Sequence, residues 1–180
     1  MRPWFAFAIL SILFVSAAAR ADNHYQQKPW QIHIGMVSPM GDVESDAGAE
    51  SGFLLGFDYY LKPMGEKAHS FLGARYWRSE VDGGAAYVNW GTHYGIQWDL
   101  SQPSGRDSGK LYFKTALGLF TSAFKSEDDI FGRLGFGGWV SLGWEMGGPM
   151  MWGFEVGYYI MPEINNLSNN GWNFRVAFRP

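Results

Sequence analysis

Few side chains in this sequence are of the kinds that do chemistry. There are four histidines, His24, His33, His69 and His93, and no cysteine. No two histidines stand at i and i+4, the spacing that would put two ligands on one helix face, so no metal centre is expected. A nucleophilic serine needs a base within hydrogen-bond reach, yet no histidine follows His93. "GRLGFGGW", Gly132 to Trp139, has the glycines of a phosphate loop. Such a loop lies between a strand and a helix, and here the glycines alternate with bulky apolar residues instead. These residues point to no catalytic group and no cofactor.

The composition explains what the remaining residues are for. Aromatics make up 18% of the chain and charged residues 17%, below the ordinary quarter. Net charge is −3, with no block of Lys or Arg, so nucleic acid is not an expected partner. Residues 1–21 read as a secretory signal peptide. Arg2 supplies the positive start, "WFAFAILSILFV" the apolar core and "AAARA" the small-residue exit. The mature domain is then 22–180. No later apolar run approaches the ~20 residues of a membrane helix.

The mature chain alternates instead. In "YVNWGTHYGIQWDL" the residues Val88, Trp90, Thr92, Tyr94, Ile96, Trp98 and Leu100 oppose Asn89, Gly91, His93, Gly95, Gln97 and Asp99. Period two is the signature of a β-strand. The same rhythm predicts eight strands: 30–37, 51–62, 67–78, 87–100, 110–123, 133–146, 150–161 and 172–179. "KPMGEK" and "MGGPM" read as tight turns. "LSQPSGRDSG" is somewhat longer. The connections at the other end, such as "PMGDVESDAGAES", "KSEDDIFG" and "PEINNLSNNG", read as longer, mostly acidic loops. Eight strands with shorter turns at one end and longer loops at the other form the plan of an all-β, eight-stranded antiparallel up-and-down transmembrane β-barrel.

Eight apolar stripes exceed any patch that a soluble monomer exposes. They can be turned outward into lipid, or inward as in a soluble lipocalin-like carrier. Glycine favours lipid. It falls mostly on the polar side, as at Gly35, Gly56, Gly73, Gly95 and Gly137, where small residues relieve a narrow interior. Tryptophan agrees: Trp30, Trp90, Trp98, Trp144, Trp152 and Trp172 sit toward the ends of the apolar stripes, as in an aromatic girdle.

At this level the chain resembles the small eight-stranded outer-membrane barrels of the OmpA transmembrane-domain and OmpX type. The resemblance covers essentially the whole mature chain and is one of architecture. Its C-terminal "WNFRVAFRP" alternates Trp172, Phe174, Val176 and Phe178, similar to the signal that barrel-assembly machinery reads in that family. Family members often end on the aromatic, whereas here Arg179 and Pro180 follow. The resemblance implies a lumen plugged by ion pairs, with Glu145 and Glu155 pairing with some of Arg75, Lys114, Arg133 and Arg175. It also implies bacterial outer-membrane localisation, contact with membrane lipid and lipopolysaccharide, a monomer, and outer loops open to host or other surface ligands. A barrel enzyme similar to the PagL-type lipid A 3-O-deacylases is the alternative. That family has His, one residue, then Ser-Asn. Here Ser168-Asn169 are preceded by Asn166 and Leu167, so the base is missing from its place. The expected role is structural or one of surface interaction, without catalysis.

Overall fold

The computed structural model describes residues 28–81, 85–101, 109–125, 130–146, 151–164 and 166–180. The expected signal peptide lies outside these, as do the loop acids Glu127, Asp128 and Asp129.

Among the described residues, eight strands and one helical turn account for almost the whole chain. The order is β1 (Trp30–Met40), α1 (Asp42–Ser45), β2 (Gly52–Pro63), β3 (Ala68–Glu80), β4 (Ala86–Asp99), β5 (Lys110–Lys125), β6 (Ile130–Met146), β7 (Met151–Ile164) and β8 (Leu167–Arg179). Each strand pairs antiparallel with the next, and β8 closes on β1. Closure leaves no sheet edge, which is what lets a sheet sit in a medium without hydrogen-bonding partners. The register is staggered. Partners followed round the barrel from Trp30 through Tyr59, Leu72, Tyr94, Leu117, Gly138, Ile160 and Asn170 return to Met40, 10 residues further along β1. A stagger of this kind tilts the strands and fixes a narrow interior.

The two faces have opposite chemistry, and the inversion is the reverse of a soluble protein. Phe136 is 84% exposed and Leu117 73%, with Ile34, Leu55, Leu134, Phe154, Ile160 and Phe174 also exposed on the outer wall. Gln31, His33, Asp58, Lys114, Glu155 and Arg175 are buried inside. The lipocalin-like arrangement, with the apolar face inward, is therefore not the one adopted. The phase of every strand matches its period-two reading.

The strand ends do not match. β7 and β8 are joined through residues 165–166 alone, with Asn166 at φ 64° in the turn. The expected loop "PEINNLSNNG" is mostly strand. β6 is likewise extended back to Ile130, giving 17 residues. The expected asymmetry of shorter turns and longer loops is replaced by connections of mixed length at both ends. Spans at the end where β1 finishes and β8 starts are 41–51, 81–85, 126–129 and 165–166; those at the other end are 64–67, 100–109 and 147–150. Alternation of apolar and polar residues fades where both faces are polar, while the backbone ladder continues. β5 and β6, at 16 and 17 residues, are therefore longer than the ~9–11 residues that cross a bilayer.

Candidate functional site

The interior is built in tiers, each set by the inward parity of its strands. Going inward from the end where β1 starts and β8 finishes, the first tier pairs Lys110 Nζ with Asp99 Oδ2 at 3.1 Å and Arg179 Nε with Glu145 Oε1 at 2.8 Å. His69 Nε2 lies 3.5 Å from the same Asp99 oxygen.

The central tier has two carboxylate hubs. Glu155 on β7 accepts from Arg175 Nε at 2.6 Å and from the neighbouring Nη2. It also accepts from Lys114 Nζ at 2.9 Å, Tyr112 Oη at 2.8 Å and Ser141 Oγ at 3.2 Å. Asp58 on β2 takes the Nε2 atoms of His33 at 2.8 Å and His93 at 3.0 Å. Lys114 Nζ reaches Asp58 at 3.3 Å, and Arg75 Nη2 lies 3.5 Å from it. Lys114 thus bridges the two hubs, and donates to Gln31 Oε1 at 2.6 Å as well. Three basic side chains, Arg75, Lys114 and Arg175, face two carboxylates. The surplus is spread over aromatic faces. Arg75 lies 3.9 Å and Arg175 4.5 Å from the centre of the Trp139 ring, an arrangement favourable for a desolvated cation.

Above the charges the lumen turns apolar. Phe71, Trp77, Phe120, Trp139, Tyr159 and Met161 form one buried cluster with Val37 and Leu54. Higher still, Asn169 Nδ2 donates to Asn89 Oδ1 at 3.1 Å and to Ser122 Oγ at 3.0 Å. A second apolar cluster of Val43, Ala49, Val81, Tyr87 and Ile164 closes the top. The helical turn α1 is tied down there: Ser168 N–H donates to Asp42 Oδ2 at 3.0 Å, and Asp42 N–H to Ser168 Oγ at 3.3 Å. The Ser168 N–H, with its hydroxyl second, holds the Asp42 carboxyl below its ordinary value.

Of the six residues expected to form the charge network, the structure brings Lys114, Glu155 and Arg175 into direct contact. Arg75 joins through Asp58 rather than through a glutamate. Glu145 pairs with Arg179, a residue the sequence reading left out. Arg133 stands apart and exposed. Its parity is inward, opposite Ser122, but the β6–β7 ladder ends at Gly138 and Ile160, so Arg133 stands above the enclosed lumen. Sequence reasoning also missed Asp58 as a hub, and the inward aromatics Phe71, Trp77, Phe120 and Trp139. Parity on each strand was the available signal for both. All six expected girdle tryptophans face outward: Trp30, Trp98, Trp144 and Trp152 near the end where β1 starts and β8 finishes, Trp90 and Trp172 in the other half. Trp172, Phe174, Val176 and Phe178 share the outer face of β8. Among the described residues, no group of three or more His, Cys, Asp or Glu side chains is placed to hold a metal. Among the described residues, both side-chain-mediated hydrogen bonds at Ser168 join it to Asp42, not to a histidine.

No family model and no characterised protein sequence matches this chain. Solved structures do. Neisserial surface protein A (NspA) superposes with a TM-score of 0.65 at 10% identity, over 83% of this chain and 94% of that one. The outer membrane enzyme PagL superposes with a TM-score of 0.53 at 12% identity, over 83% of this chain and 99% of its own. The chain has the fold of the small eight-stranded outer-membrane β-barrels, the architecture its sequence resembles.

Proposed function

We propose that the protein is an integral barrel of a bacterial outer membrane, delivered by its signal peptide, with a lumen plugged by the charge network and a structural or surface-interaction role carried by its outer ends. The observation that carries this reading is the inversion of faces: an apolar outer wall around a buried, ion-paired interior. Water would leave that wall exposed beyond anything a soluble monomer tolerates, whereas lipid covers it.

The orientation follows from the strand ends. β1 starts and β8 finishes at the end ringed by Trp30, Trp98, Trp144 and Trp152, which suits the periplasmic side. The opposite end carries exposed acids such as Glu44, Asp46 and Glu50. Those acids suit contact with divalent cations at lipopolysaccharide phosphates, or with host or other surface ligands. Trp172, Phe174, Val176 and Phe178 present the alternation that the barrel-assembly machinery would read, and the protein would act as a monomer.

A plugged barrel conducts no ions. Single-channel recording in planar bilayers therefore tests the reading, with no discrete conductance expected; a steady unitary pore would overturn it. Catalysis on lipid A is the competing function. Ser168 counts against it, because both of its cross-loop bonds engage Asp42 and hold α1 in place. Mass spectra of lipid A from cells with and without the protein decide the point: loss or gain of an acyl chain would establish an enzyme.

A further inference from the structure

Between the two apolar clusters of the lumen lies a polar layer whose hydrogen bonds do not close. Asn89, Ser122 and Asn169 bond to one another. The Tyr87 hydroxyl lies against all three, and Ser79 stands directly across the ladder from Tyr87. Trp77, the cross-strand partner of Asn89, packs on Tyr159 with ring centres 5.1 Å apart. None of these seven side chains is more than 2% exposed. At five of them one polar atom has no protein partner among the described residues: Trp77 Nε1, Ser79 Oγ, Asn89 Nδ2, Tyr159 Oη and Asn169 Oδ1. Each such atom is costly to bury alone, and native interiors rarely do so.

The chemistry of these atoms defines their partner. Trp77 Nε1 and Asn89 Nδ2 are donors, so the partner must accept. Asn169 Oδ1 is an acceptor, so the partner must also donate. The hydroxyls of Ser79 and Tyr159 do either. None of the seven side chains is charged, and Arg133, the ladder neighbour of Ser122, is exposed. An ion would therefore be buried without a counter-charge. A small uncharged hydroxyl molecule meets every requirement. Phe120 and Met161 confine the layer from below, and Val43 and Ile164 from above, which selects the smallest such molecule.

The roof of the layer is a strap rather than a strand. It runs from Gly41 through α1 to Glu50, and drops Val43 and Ala49 into the upper cluster. Gly41 at φ 72° and Gly48 at φ 62° bend the chain on either side of α1. Side-chain anchoring comes from Asp42 on Ser168, and the far end is held by Glu50 N–H donating to the Glu80 carbonyl at 2.8 Å.

We propose that the polar layer is a closed water chamber in the outer lumen and that the strap carrying α1 is its lid. About two or three waters, at roughly three hydrogen bonds each, satisfy the open atoms. The chamber rests on the closed lumen and not on the membrane reading.

NMR of the full mature protein in lipid nanodiscs reads the chamber through the indole N–H of Trp77. A cross-relaxation peak from that N–H to water is expected, with the sign of a long-lived bound molecule. Hydrogen exchange at the same N–H reads the lid. Asp42→Ala removes the anchor on Ser168 and should speed exchange at Trp77 about tenfold, as loss of a hydrogen bond to a charged group allows. Val43→Ala loosens the roof from its apolar side and should act in the same direction. The Trp139 indole, whose ring carries Arg75 and Arg175 in the tier below, should keep its rate in both variants. No water peak at Trp77, or a small organic molecule retained in native mass spectra, overturns the chamber. Unchanged exchange at Trp77 in both variants overturns the lid, and so does equal acceleration at Trp77 and Trp139, which would mean that the whole barrel opens.

Discussion

Replacing Glu155 with glutamine tests the interior most sharply. The carboxylate is fully buried and accepts from Arg175, Lys114, Tyr112 and Ser141. Its Lys114 contact at 2.9 Å alone amounts to about 6 kcal/mol of gross attraction at an effective dielectric of ~20. Desolvation cancels much of that, and the net cost of breaking a buried pair is about 3–5 kcal/mol. Lys114 would keep Asp58 and Gln31 as partners, whereas Arg175 would lose its only carboxylate among the described residues. We expect Glu155→Gln to destabilise the barrel by about 3–5 kcal/mol in urea unfolding from lipid vesicles, followed by tryptophan fluorescence. Glu145→Gln, which breaks one pair with Arg179, should cost less, about 1.5–3 kcal/mol. Exposed Glu163→Gln should stay within ~0.5 kcal/mol. Replacing Glu155 and Arg175 together with leucine should recover part of the loss, since the pair leaves no lone ion. Equal stability of Glu155→Gln and Glu163→Gln would refute the argument that the network holds the interior together.

Other consequences are smaller in scope. A methyl group at Gly73 would begin 2.5 Å from both Asp58 Oδ1 and His93 Nε2, and 2.4 Å from the Phe57 carbonyl. Gly73→Ala should therefore cost about 1–3 kcal/mol in the same unfolding assay, as overpacking does. At Asp42 the folded pKa lies below the unfolded one. The docking of α1 is thus fully supported above the unfolded value and is lost as pH falls through the folded one. The Ser168 amide resonance should keep its docked shift down to about pH 4 and move only below it, and Asp42→Asn should displace it at every pH. Planar bilayers containing Glu145→Ala should remain as silent as those with the wild type, because the apolar tier around Trp77, Phe120 and Trp139 stands independently of that ion pair.

Strand phase was readable in one dimension because each side chain has only two directions to point. Tyr94, Leu117 and Phe136 had to be out once His93, Gly118 and Gly137 were in. Strand length was less readable. The apolar half of the alternation starts at Trp172, so the pattern begins β8 there, although its ladder starts at Leu167. The interior was legible as a composition and opaque as a set of pairs. Asp58 meets His33 and His93 across 25 and 35 residues of chain, and only the register of four strands brings them together. Arg133 shows the limit from the other side. Parity assigned it to the lumen, but the early end of the β6–β7 ladder leaves it outside. The inward aromatics escaped notice for a related reason. Trp77 and Trp139 break the apolar-out pattern, and an interior half built of rings cannot be inferred from a polar face that is otherwise glycine and charge.

The most direct test of the whole account uses the absence of cysteine. Leu117→Cys carries a single environment-sensitive fluorophore on the outer wall at acyl-chain depth. In bilayers containing brominated lipid the label should be quenched strongly, and aqueous iodide should leave it unaffected. Quenching by iodide and not by the lipid would show that this wall faces water, and would contradict the account.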